Sequence, residues 1–387
     1  MKTIKFITVI IILFTVSCKA PFYTEKIPQQ NSKAEGIIYS LPQAKILVKV
    51  EITKEIKQKG IFSDYTHLYF NAKNAVLRNG TKFFISDISI KTIPITDSSQ
   101  VYRIISPKNI NPLLLNLSKE SFLSGINLSD VQAGKVISQQ NLIRNNDVAT
   151  NVSDYADISL YSVREVQYDT IYKDVLRDSV MIKVPIIRKK EVYKSKAKQA
   201  KETANIIFRL RDDRYALLTG ENDGNNFPDG EAIKLMLKKL SGLEKNYMSL
   251  FTGREMKVKK NYQFEFIPQN NNSEEDNVLF YFSEMKGFTN DTIYRPVILR
   301  LTNPENETEN IGFQKIRTDN SGHYSGIIYR IPVKEKAEII FDDKELFKTN
   351  VFIPQFGNLN IIPSNLFKDK ITVEFYPKYG SLKRISK

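Results

Sequence analysis

Few side chains in this sequence can move a proton or attack a substrate near neutral pH. Such chemistry needs groups whose protonation changes in that range. The chain offers two histidines, His67 and His323, far apart and without companion ligands in the neighbouring sequence. A single cysteine, Cys18, rules out a cysteine-rich zinc site. No HExxH, GxSxG elbow or phosphate-binding loop occurs. Paired carboxylates are the remaining candidates: Asp212 with Asp213, and the run Glu274, Glu275 and Asp276. Adjacency alone recommends them, and solvated surface clusters are the simpler reading. FTGRE and LLTGE each hold one glycine at a helix end, where capping accounts for it. Side-chain types and spacing therefore predict no catalytic, cofactor-binding or metal-binding residue.

Cys18 stands in a different setting. Lys2 and Lys5 form a positive leader, and FITVIIILFTV is an apolar run too short for an ordinary membrane span. Ser17 supplies the small residue a signal peptidase requires beside its cut. VSC resembles the end of the lipobox of bacterial lipoproteins, with Thr15 where leucine is usual. That resemblance implies removal of residues 1–17 and acylation of Cys18 as the mature N-terminus. Several acyl chains on one residue would anchor the protein stably, as one chain alone does not. The competing reading is an ordinary secretory signal with an incidental cysteine.

The formal charge of +14 restricts the partners, and loss of Lys2 and Lys5 leaves +12 (14 − 2). Export removes nucleic acid from consideration, leaving anionic headgroups, acidic glycans or an acidic protein. Plain solubility explains the charge equally well. One cysteine allows no intramolecular disulfide, so stability must come from packing, for which 387 residues suffice. Tyrosine and phenylalanine are plentiful but tryptophan is absent, so a sugar-stacking site would have to use tyrosine.

The elements that would position these residues follow from periodicity. Lys19 to Ala34 is polar and contains proline, as a tether would. GIIYSLPQAKILVKVEITKEI predicts strand, a break at Pro42, then strand, with folded structure beginning at Gly36. FSDYTHLYF predicts a short helix, FFISDISIKTIPI a half-buried strand, and LLLNL with FLSGINL a hairpin. ISLYSVREVQYDTIYKDV and SVMIKVPIIRKKEVY predict two more strands. The basic run from Arg188 to Lys201 reads as a solvated face.

Lys194 to Gly253 predicts a helical hairpin around which the rest is organised. Ala197, Ala200, Ala204, Ile207, Phe208, Tyr215 and Leu218 share one face of its first helix, which Gly220 stops. Ile206, Leu210 and Leu217 fall opposite, predicting cover on two sides. The second helix, with Asp229 as N-cap, aligns Ile233, Met236, Leu237, Leu240, Leu243, Tyr247, Leu250 and Phe251. Strands resume with YQFEFIP, VLFYFSEM and IYRPVILRLT, and GIIYRIP (326–332) echoes GIIYSLP (36–42). Proline after a short strand predicts an edge or an end, at equivalent corners, for both.

YSLP, KAKQAKETANIIFRLRDDRYALLTGE, LSGLEKNYMSLFTG and IPQFGNLNIIP together resemble an uncharacterised family of Bacteroidota lipoproteins known only as a domain of unknown function. The resemblance implies an envelope location and a mixed fold, and carries no catalytic residues. The expected fold is α+β and mostly β. Residues 1–17 form a signal peptide and 18–33 a tether; β-rich parts at 34–190 and 254–387 flank the helical hairpin at 191–253. The expected role is a non-enzymatic binding or scaffolding component of the outer membrane, facing the periplasm. It would be held by lipid on Cys18, need no cofactor and associate with another envelope protein. A glycan-binding or glycan-processing lipoprotein is the alternative.

Overall fold

The structure, a computed structural model, describes residues 22–27, 35–106, 113–128, 163–178, 180–220, 230–269, 276–302, 316, 318–319, 322–369 and 371–387. The first half comprises β1 (Tyr23–Lys26), β2 (Ile37–Gln58), β3 (Gly80–Ile105), β4 (Leu115–Leu117), β5 (Leu123–Ile126), β6 (Arg164–Arg177) and β7 (Val180–Tyr193). Two helices follow, α1 (Lys196–Thr219) and α2 (Gly230–Thr252). Next come β8 (Arg254–Phe266), β9 (Asn277–Ser283), β10 (Gly287–Thr289), β11 (Arg295–Thr302), β12 (Gly326–Phe341), β13 (Lys344–Pro363), β14 (Thr372–Tyr376) and β15 (Ser381–Ser386). The chain is α+β and mostly β, with its described strands in antiparallel sheets.

Period-two alternation lays down the main core. Ile46, Val48, Val50 and Ile52 on β2 pack with Phe280 and Phe282 on β9, Val297 and Leu299 on β11, and Ala337 and Ile339 on β12. They close a sandwich between the sheet β1-β3-β2-β8 and the sheet β10-β9-β11-β12-β13. A second core, around Tyr39, Tyr102, Ile327 and Val373, joins both to the small sheet β15-β14-β5-β4. Strands from both β-rich parts of the sequence thus share sheets: β8 pairs with β2, and β14 with β5.

The repeated heptads are structurally equivalent, and each has a ladder partner on one side only. β8 pairs with β2 from Ile46 onward and β11 with β12 from Lys336 onward, so both proline-bearing ends lie at a sheet edge, as expected. Each proline also sits at a large bulge. On β2, Ser40 pairs with Val101 and Pro42 with Thr96, so Asp97 to Gln100 loop out of β3. On β12, Ile331 pairs with Asn358 and Val333 with Ile353, so Pro354 to Gly357 loop out of β13. A bulge opposite each proline spares the ladder a donor that proline cannot supply. Gly357 is required there, because a Cβ would lie 1.7 Å from the Ile331 carbonyl oxygen.

The two bulges hold each other. Buried Arg330 donates to Asp97 Oδ2 at 2.7 Å and to the Pro42 carbonyl at 2.7 Å. Gln355 donates to the Ala44 carbonyl at 2.9 Å and accepts from its amide at 2.8 Å. Tyr39 Oη donates to the Ile328 carbonyl at 3.1 Å and accepts from the same residue's amide at 3.0 Å. Burial works to raise the pKa of Asp97. Hydrogen bonds from Ser99 and Arg330, with the guanidinium charge, outweigh it and hold the carboxyl below its ordinary range.

Two expectations change. Tyr23–Lys26, within the stretch read as a tether, form β1, which pairs with β3 from Tyr23↔Ile105 to Lys26↔Tyr102. Inward Phe22 and Thr24 are buried, a two-residue alternation too brief to stand out in the sequence. The helical hairpin is also peripheral rather than central. Ser195 caps α1 by accepting from the Lys198 amide at 3.2 Å, and Gly220 ends it at φ 75° as expected. Only its base is buried: Ala200, Ala204 and Ile207 meet Tyr247, Leu250, Phe251, Phe62 and Phe70. Leu240 is half-buried, Ala197 is exposed, and Phe208, Tyr215 and Leu218 are 39%, 61% and 65% exposed. The helices outrun the body, so their periodicity marks mutual packing and not a common core. Asp229 lies outside the described residues.

Breaking the Arg330–Asp97 pair should therefore unsettle both hairpins. Asp97→Asn should cost about 3–5 kcal/mol at neutral pH, as loss of one partner of a buried ion pair does. Because the folded-state pKa is lowered, the wild-type advantage is complete above the ordinary aspartate value and disappears as pH falls through the folded value. Denaturant titrations of both proteins across that acid range would measure it.

Candidate functional site

The residues singled out from sequence are not brought together. Cys18, Glu274 and Glu275 lie outside the described residues. His67 is exposed on the single helical turn Thr66–Tyr69, and Asp212 and Asp213 are exposed on α1. Asp276 accepts from Arg300 Nε at 2.6 Å and Nη2 at 2.9 Å, which lowers its pKa and makes it a surface clamp rather than an acid. Among the described residues, no group of three or more His, Cys, Asp or Glu could hold a metal ion.

His323 does acquire companions that the sequence did not reveal. Its Nε2 lies 3.8 Å from Glu25 Oε2 on β1, and its Nδ1 lies 3.8 Å from Asp319 Oδ2. The Tyr23 ring packs against the imidazole with centroids 4.3 Å apart, while Arg103 donates to Glu25 at 2.9 Å. Asp319 is four residues away and detectable by spacing; Glu25 arrives only through β1 pairing. Separations of 3.8 Å exceed hydrogen-bond length, so this group clasps β1 against the turn before β12. Thr24 and Tyr324 reinforce the clasp with backbone bonds of 2.8 and 2.7 Å.

Glu335 is the second group that sequence inspection missed. It lies on β12 in line with Ala337 and Ile339, only 3% exposed, and its Oε2 has no hydrogen-bond partner. Burial raises its pKa. The signal is present in VKEKAEII, where Glu335 keeps phase with Val333, Ala337 and Ile339 and Glu338 with the two lysines.

The largest unpaired surfaces belong to two projections. One is the distal helical hairpin, with Tyr215, Leu218 and Leu235 exposed. The other is the β6–β7 ribbon, a separate two-stranded sheet whose residues are exposed on both faces along most of its length. Tyr168, Tyr172, Leu176, Met181 and Ile187 are each more than 60% exposed there. The basic run at the ribbon's base is partly neutralised, since Lys194 pairs with Glu202 at 2.9 Å and Lys198 with Glu165.

A family model described as Domain of unknown function (DUF4831) matches residues 35–159 and 186–383. The chain belongs to this family. The match omits 160–185, which hold all of β6 and the tip half of β7. No curated protein and no solved structure matches the chain.

Glu335 separates a structural burden from a working acid. A carboxyl whose folded pKa is raised favours the fold most below the ordinary glutamate value. That advantage is lost as pH climbs toward the folded value. Glu335→Gln should thus raise the melting temperature at pH 7 and leave it unchanged near pH 4. A lower melting temperature at pH 7 would show that the ionised carboxylate is needed.

Proposed function

We propose that this protein is a lipid-anchored component of a bacterial outer membrane, facing the periplasm, that binds or scaffolds other envelope proteins without catalysis. One observation carries the reading. Phe22 is buried in the second core and stands four positions after Cys18 (22 − 18). Four extended residues span at most about 14 Å, so an acyl group on Cys18 would hold the sandwich against the bilayer surface. The β1 clasp would carry that attachment directly into both sheets of the body. Confinement to a surface raises the effective concentration of neighbouring membrane components, which suits an assembly role. The two apolar projections supply contact area, and the positive charge supports encounter with acidic partners in a salt-sensitive way.

In cells, Cys18→Ser should lose acyl mass and leave the detergent-extracted membrane fraction; wild-type protein without acyl mass at Cys18 would refute the anchor. Purified protein should leave peptidoglycan and lipopolysaccharide fragments unchanged by mass spectrometry. Turnover abolished by replacing one Asp or Glu would replace scaffolding with glycan processing.

A further inference from the structure

β6 has two edges and one partner. Among the described residues its sheet is two-stranded, paired without a register shift from Arg164↔Tyr193 to Arg177↔Val180. An isolated ribbon is marginal in water, and its free rows of N–H and C=O groups are templates for another strand. The two outer edges differ. β7 contains Pro185, whose nitrogen cannot donate and within an unbroken ladder points away from β6. Lys183, Arg188, Lys189 and Lys190 accompany it, and proline with lysine is how an edge is protected from pairing. Pro185 sits opposite Tyr172, so Tyr172 and the other even-numbered residues of β6 direct their backbone groups outward. No proline protects that edge.

The charges of β6 are arranged for its own reversed copy. One face reads Glu165, Gln167, Asp169, Ile171, Lys173, Val175, Arg177, acidic in its first half and basic in its second. Reversed about Ile171, the strand sets Glu165 against Arg177, Asp169 against Lys173, and Ile171 against itself. On the opposite face Val166 meets Leu176, Tyr168 meets Asp174 and Thr170 meets Tyr172. A slip of two residues either way removes every acid–base match. A slip of four sets Lys173 or Asp169 against its own copy. Within their own ribbon Asp169 faces Arg188 and Glu165 pairs with Lys198, whereas Lys173 and Arg177 face only Val184 and Val180, so the intramolecular ladder leaves these two cations without a carboxylate opposite.

We propose that β6 is a self-association edge. Two copies of this chain pair antiparallel through β6 about a two-fold axis at Ile171, and their ribbons merge into a four-stranded sheet with the protected β7 strands outermost. The isologous pairing follows from the strand's own complementarity and does not depend on the lipid anchor. It belongs to the segment outside the family match, so it distinguishes this chain from the shared body.

The test uses the full chain purified in detergent. Ile171 would face its copy in a non-hydrogen-bonded pair with Cα atoms about 4.5 Å apart, within disulfide reach. In a Cys18→Ser background, Ile171→Cys should therefore give an oxidised dimer that the cysteine-free parent does not form. In that background Asp169→Lys and Lys173→Asp, both at exposed positions, should each weaken association about tenfold or more by opposing like charges. Mixing the two variants should restore the dimer, as should both changes in one chain. Sedimentation of the parent chain as a monomer would overturn the proposal. So would crosslinking indifferent to the charges at 169 and 173, or disulfide capture of a different protein by the Ile171→Cys variant in cells.

Discussion

The body depends on a buried ion pair between two hairpins. Arg330 and Asp97 are 4% and 8% exposed, so neither is solvated well enough to stand alone. Each compensates the other; the Pro42 carbonyl and Ser99 add further hydrogen bonds, while the buried Arg330 Nε has no partner. Both partners lie at proline corners, where a bulge has already interrupted the ladder and left room for a side chain to cross. Gln355 makes the reciprocal connection, from the second bulge to the backbone of the first hairpin at Ala44. Charge compensation and backbone satisfaction together fix how the two sheets meet. Apolar burial alone would tolerate small shifts of one sheet over the other, because it is not directional.

That arrangement gives a rigid platform with appendages. β1 is clasped to it by Glu25, His323 and Thr24, so this N-terminal strand and the sandwich are joined. The helical hairpin and the ribbon then reach beyond the core with side chains that the platform does not cover. Apolar and charged side chains are exposed on both projections.

The net charge also looks different in three dimensions. Along outer sheet faces, lysines are matched by carboxylates, as in Lys45–Glu265 at 2.8 Å and Lys259–Glu51 at 2.9 Å. Such exposed pairs add little stability. They do show that positive charge in the sequence is not automatically a positive patch.

Local pattern was enough to establish most of the elements, though not β1. Alternation marked β2, β3, β8 and β9, the alanine-rich run marked α1 with its stop at Gly220, and the heptad echo marked two equivalent corners, because these signals are short-range and periodic. It could not decide what each element would face. Leu240 and Tyr215 share the pattern of Tyr247 and Phe251, yet the body reaches only the base of the helices. Glu25 and His323, or Asp97 and Arg330, are separated by hundreds of residues, and no local pattern links them. Those charges meet in the folded chain alone, because compensation of a buried charge depends on distance in space and is indifferent to separation along the sequence.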